Sequence, residues 1–213
     1  MNQNKQSGDF IETILDGGVG NSALYDETIR SFLDKRVLVF NTEVNDDVLE
    51  NYILHILKWN KEDEDIPIPK RKKIKIYIST PGGSTFSAWS MIDVIENSKT
   101  PIIGVCFDMC ASAGFYIYIT CHERIAFKNS AILEHDGDIS IENSSKKAKD
   151  VMAFFETMDQ RLKEHVLKHT HIDSEFYDSI YETEFWFFAN DKGKDLGVVD
   201  KIIGEDVDID YIL

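Results

Sequence analysis

PIIGVCF (residues 101–107), DMCASAGFY (108–116) and YIYIT (116–120) make one stretch in which a lone serine, Ser112, stands between two apolar runs. The first run is β-branched and reads as a buried strand. The second, SAGFYIYIT, is apolar all round and reads as a buried helix. A strand passing straight into a helix is the repeating step of an α/β fold. The Ser112 hydroxyl therefore falls at the carboxyl end of a strand, where ligands gather in parallel sheets. A residue opening a helix also turns its own N–H and those of its neighbours toward negative charge. Ala111, Ala113 and Gly114 leave room for a substrate backbone. That combination suits a nucleophile with an oxyanion hole beside it. A serine at a helix start is more commonly a plain N-cap, however, and the stretch alone does not single out the nucleophile.

Working outward, the same alternation continues on both sides. Upstream, IKIYIS (74–79) is a strand that ends in TPGGS, where Gly82 and Gly83 let backbone come close to a neighbour or simply make a turn. A helix follows with Ala88, Trp89, Ile92 and Ile95 on one face. Further back, RVLVF (36–40) is a strand. NDDVLENYILHILKWN is a helix capped by Asn45, with Val48, Leu49, Tyr52, Ile53, Ile56 and Leu57 inward. KEDEDIPIPKRKK is a charged loop, read as a solvated excursion, with KRKK as an alternative basic docking patch. Downstream, RIAFK and AILEH are short strands, and His135 emerges at the end of the second. Residues 144–170 form a long amphipathic helix with Val151, Phe155, Met158 and Leu162 inward. A short helix (SEFYDSIY), EFWFF, a helical turn ended by Gly197, and VVDKII complete the chain. The order implies parallel strands joined by right-handed crossovers. Residues 1–34 are polar with short apolar patches and read as an arm; residues 35–213 are the domain.

Composition narrows the function class. The chain has 213 residues, 43% hydrophobic and 29% charged, which suits one compact domain. No apolar run is long enough to span a membrane, and MNQNKQSGDF lacks the apolar core of a signal peptide. Cys106, Cys110 and Cys121 read as buried free thiols of a reducing, cytoplasmic compartment, not as a disulfide framework or zinc site. The net charge of −15 argues against binding a phosphate backbone and for a self-repelling surface. His55, His122, His165, His169 and His171 read as surface or structural histidines, the last three at the polar end of the long helix.

Together these pieces resemble the proteolytic subunit of the Clp protease, the ClpP family of serine peptidases. IYISTPGGS resembles the family's strand and SPGG turn, and CASAGF its AASMGA nucleophile segment. NSAILEH resembles NSRVMIH, which carries the family's histidine, and DLGVVDKII resembles EYGLVDKVI. Gly83 and Ser112 are 29 residues apart, the spacing expected of the family, and the match runs from about Arg36 to Ile203. The resemblance implies an α/β spiral fold of the ClpP/crotonase type. It makes Ser112 the nucleophile, His135 the general base, and the N–H groups of Gly83 and Ala113 the oxyanion hole. The third triad member departs from the pattern, because ETEFWFFANDKG has no aspartate before its aromatic residues. Aligning Ala189 with the family's alanine puts Glu184 in the aspartate's place with one residue inserted before Gly197. Anchoring on Gly197 without a gap puts Phe185 there, which cannot orient an imidazole. Glu182 and Asp136 are further candidates, and an incomplete triad is the remaining reading.

The resemblance further implies a homo-oligomeric ring, heptameric and single or stacked, with the helix 144–170 as ring-to-ring handle. Phe154 and Phe155 then serve core and interface. An AAA+ unfoldase would deliver unfolded polypeptides. No metal, nucleotide or other cofactor is implied for the chain itself. DGDISIENSSKK is shorter and more acidic than the family's glycine-rich, peptide-pairing strand, and residues 1–34 lack its axial loops. Such departures fit a divergent, phage-type peptidase. The alternatives are a crotonase-like enzyme acting on acyl thioesters, a catalytically inactive ring subunit beside an active paralogue, and a maturation protease acting on scaffold or capsid proteins.

Overall fold

A computed structural model describes residues 19–137 and 144–213, so the acidic segment after His135 lies largely outside the described residues. The chain divides into two units, residues 1–37 and 38–213. In the first unit, Val19–Asp34 is a helix, α1. The segment read as an N-terminal arm thus includes a helix from Val19 onward. Tyr25, Ile29, Phe32 and Leu33 recur at helical spacing, and the last three are half-buried. The remainder of the arm, residues 1–18, is outside the described residues.

The second unit is built on a seven-stranded sheet. Its strands are β1 (Val37–Phe40), β2 (Ile74–Thr80), β3 (Ile102–Ala111), β4 (Glu123–Phe127), β5 (Ala131–Glu134), β6 (Phe185–Phe188) and β7 (Lys201–Ile203). The order is β1-β2-β3-β4-β7, while β5 branches from β3 and β6 from β5. The pairs β2–β3, β3–β4, β4–β7 and β3–β5 are parallel, and β5–β6 is antiparallel. The helices are α2 (Leu54–Glu62, entered through a π-helical turn at Leu49–Ile53), α3 (Thr85–Asn97), α4 (Ala113–Thr120), α5 (Ser145–His169) and α6 (Ser174–Ile180).

The core lies where α4 packs against β3, α3 and α5. Every residue of α4 is buried, as the all-round apolar sequence requires. Ile76, Ile78 and Val105 of the sheet and Phe115, Ile117 and Ile119 of the helix are fully buried. Each such side chain stabilises the fold by roughly 1.5–3 kcal/mol relative to leaving it in water. Cys106, Cys110 and Cys121 are buried and unpaired, and burial pushes the Cys121 thiol up to about 12.

Three local expectations change. Leu49 and Leu57 are 53% and 51% exposed, while Val48, Tyr52, Ile53, Ile56 and Trp59 are buried. The wider π-helical turn rotates Leu49 out of the stripe. On α5 the buried apolar residues are Met158, Leu162 and Val166, whereas Val151 and Phe155 are only half-buried and Phe154 stacks on Phe86. The first half of that helix therefore stands clear of this chain's core. Finally, the strand read as ending at Phe107 continues to Ala111. Ile78 pairs with Cys106 but Thr80 with Cys110, so β3 bulges between them. Buried Ser130 bridges the Cys106 and Phe107 carbonyls at 2.8 and 3.0 Å and holds the bulge in place.

Candidate active site

That bulge splits β3 into two working halves. Ile103 to Cys106 pair with β4, whereas Met109, Cys110 and Ala111 pair with Ala131, Ile132 and Leu133 of β5. The second ladder brings Ser112 and His135 to the carboxyl ends of neighbouring parallel strands. The Ser112 N–H donates to the Leu133 carbonyl at 3.1 Å.

Ser112 occupies the N-cap position of α4, but its side chain makes no capping hydrogen bond. Its backbone has φ 53° and ψ −124°, a left-handed conformation that costs a non-glycine residue of order 1–3 kcal/mol. A serine serving only as a cap adopts extended backbone and bonds the first turn. Ser112 does neither, so the structure removes the capping reading. Among the described residues its hydroxyl has no hydrogen-bond partner, His135 included.

The glycine turn lies directly against this junction. A Cβ added to Gly82, whose φ is +101°, would sit 2.6 Å from Ser112 Cβ and 3.1 Å from the Ala113 nitrogen. Gly83 (φ +143°) is bracketed by two bonds, from the Val44 N–H to the Gly82 carbonyl at 2.8 Å and from the Ser84 N–H to the Val44 carbonyl at 2.7 Å. Among the described residues, neither the Gly83 N–H nor the Ala113 N–H has an acceptor. The turn thus leaves two backbone donors beside the serine.

The carboxylate against His135 comes from β6. The antiparallel register pairs Leu133 with Trp186 and Glu134 with Phe185, so one further step sets Glu184 opposite His135. The His135 Nδ1–H donates to Glu184 Oε1 at 2.9 Å. Phe185 falls opposite Glu134 and packs on Phe176 and Phe187. Of the four residues weighed for this position, Glu184 is the one hydrogen-bonded to the imidazole; Glu182 and Asp136 are exposed. The His135 side chain is 20% exposed and that of Glu184 63%. With Nδ1 occupied, Nε2 keeps its lone pair and can accept a proton.

One neighbour escaped the sequence reading. Glu134, directly before His135, is fully buried and accepts from the Tyr116 hydroxyl at 2.9 Å. Burial pushes its carboxyl up to about 7, against the opposing pull of that hydrogen bond and of His135. Its second oxygen and the Tyr177 hydroxyl are buried without hydrogen-bond partners among the described residues. The available signal was an acid interrupting the apolar strand AILEH.

The family model of the Clp protease matches residues 20–206, reaching into α1 and so beyond the Arg36–Ile203 stretch that carries the resemblance. A proteolytic subunit 3 of the ATP-dependent Clp protease of Parasynechococcus marenigrum is 25% identical, over 79% of this chain and 82% of that protein. The corresponding subunit of a Synechococcus strain is 24% identical over the same shares. A solved structure of a ClpP1 variant from Listeria monocytogenes superposes with a TM-score of 0.71 at 21% identity, covering 86% of this chain and 98% of the other, which shows that the α/β fold is shared. The chain accordingly belongs to the Clp protease family, as a divergent ClpP-like peptidase.

Proposed function

We propose that this chain is a serine endopeptidase subunit that hydrolyses unfolded polypeptides through an acyl-enzyme on Ser112. The observation that carries the reading is the His135–Glu184 hydrogen bond of 2.9 Å beside a serine held at positive φ. His135 Nε2 takes the hydroxyl proton as Ser112 attacks the scissile carbonyl. Glu184 holds the tautomer and steadies the imidazolium that forms. The Gly83 and Ala113 N–H groups receive the tetrahedral oxyanion, a donor pair in which each member lowers the barrier by about 3 kcal/mol. His135 then protonates the leaving amine, and water repeats the sequence on the ester. The hydroxyl–imidazole hydrogen bond, absent among the described residues, forms when substrate seats.

Family membership supports a subunit of a proteolytic chamber. The expected assembly is a homo-oligomeric ring, heptameric and single or stacked, fed by an AAA+ unfoldase. The first half of α5, clear of the core, suits an inter-ring handle. The decisive experiment combines fluorophosphonate labelling, peptide turnover and sedimentation of the pure protein. Labelling and turnover that vanish in Ser112→Ala, with assembly intact, support the proposal. A second reading, an inactive ring subunit that complements an active paralogue, draws on the missing Ser112–His135 hydrogen bond. Assembly without labelling or turnover would establish it. Labelling without peptide turnover, in a chain from a viral genome, would point instead to a dedicated maturation protease.

A further inference from the structure

The last turn of α5 carries His165 and His169, four residues apart and so on one helix face. Glu96, from the last turn of α3, faces both. One ligand atom from each of the three lies within 4.8 Å of the other two. His169 Nε2 is 2.7 Å from Glu96 Oε1, and His165 Nδ1 is 3.8 Å from the same oxygen.

The hydrogen bonds fix which His165 nitrogen is free. Its Nε2 lies 2.9 Å from Thr120 Oγ1 and 3.4 Å from the Tyr116 carbonyl. The Thr120 hydroxyl hydrogen is already donated to that same carbonyl, at 2.6 Å. Both neighbours therefore offer only lone pairs, and Nε2 must carry the proton. In the neutral ring Nδ1 then bears a lone pair, and among the described residues nothing donates to it. It faces a carboxylate oxygen, acceptor against acceptor. This buried side chain is only 4% exposed, so water does little to relieve the mismatch.

We propose that Glu96, His165 and His169 form a structural site for one divalent transition-metal ion of the zinc class, clipping the end of α5 to α3. The N₂O donor set suits zinc, cobalt or nickel, whereas calcium and magnesium require oxygen ligands. Tetrahedral zinc with bonds of about 2.0–2.1 Å separates its ligands by about 3.4 Å, and the two measured separations straddle that value. Thr120 supplies the outer hydrogen bond that orients a metal-binding histidine. A cleft of about 440 Å³ lined by Glu96, Thr120, His122, Arg124, Lys168 and His169 gives access and room for a coordinated water. Arg124 does not oppose the ion strongly, since Asp200 pairs with it at 2.6 Å. Lys168 does compete, with its Nζ 2.7 Å from Glu96 Oε1. On loading, the ammonium is displaced and His169 gives up its Nε2 proton.

The test uses the full chain stripped with a chelator, then titrated with Zn²⁺ by calorimetry and Co²⁺ by absorption, with thermal melts alongside. One ion per chain is expected, with a tetrahedral cobalt spectrum lacking thiolate charge transfer and a melting temperature raised by several degrees. His169→Asn and Glu96→Gln should each weaken binding at least tenfold and remove the thermal shift. Lys168→Met should tighten binding several-fold, a gain that misfolding cannot mimic. Absence of one-to-one binding, unchanged affinity in the His169→Asn/Glu96→Gln double variant, or a thiolate band assigning the ion to the cysteines would each overturn the proposal.

Discussion

Among the described residues, two glutamate–histidine constellations use the same residue types to different ends. His135 and Glu184 meet where two strands end, beside a serine in left-handed backbone, and the imidazole keeps its outer nitrogen uncommitted. His165, His169 and Glu96 meet in a seam between helices, where the outer nitrogen of His165 is bound to two acceptors. His135 can pass a proton to and from a bound substrate; His165, with that nitrogen held by acceptors, cannot. Proton relay is thus decided by which ring nitrogen is left open and what it faces, not by the presence of a histidine beside an acid.

The sharpest way to break this contrast is Ser112→Ala. If the strand-end constellation is catalytic, peptide turnover should fall at least about 10⁴-fold, with the circular dichroism spectrum unchanged. Glu184→Gln should come next, lowering kcat by roughly 10³ with KM little altered, because the amide stabilises the wrong tautomer; steady-state kinetics with near-normal kcat would remove Glu184 from the machinery. Its 63% exposure keeps this loss below that of a buried carboxylate. Gly82→Ala should cut turnover about 10²-fold through displacement of the serine, since the new Cβ would stand 2.6 Å from Ser112 Cβ. A melt of the same variant should show a loss of about 1–3 kcal/mol.

The last prediction concerns Glu134 and is read as stability alone. Its carboxyl is raised from 4.5 to about 7, so between those values the folded chain holds a proton that the unfolded chain releases. Its contribution is therefore most favourable below pH 4.5 and is lost as pH rises to about 7. Glu134→Gln should flatten this dependence and gain up to about 3 kcal/mol at pH 8. Chemical denaturation at pH 5 and pH 8 gives the comparison, and parallel slopes for both proteins would rule the buried carboxyl out as the cause.

What could be read from the chain followed the range of the interactions involved. The step from strand through Ser112 into α4 was legible because it is local and apolar. So was the glycine turn, where two residues without side chains adjoin a strand. The extension of β3 past Asp108 was not, since partners from β5 to Met109, Cys110 and Ala111 impose it beyond a charged residue. The choice between Glu184 and Phe185 hung on a one-residue gap that only the antiparallel register with β5 sets. Glu134 was passed over because an acid in a short strand normally faces solvent. The helix at 19–34 was hidden by its polar majority, although its sparse apolar residues keep the right period.

The splitting of β3 has a bearing on how the chain matures. Ser112 and His135 are placed by one ladder, but Glu184 arrives 49 residues after His135, across the whole of α5 and α6. Distant pairings of this kind close late. A refolding chain should therefore join β1 to β5 before any cleavage capability, so that nascent copies are harmless to one another until β6 has paired with β5.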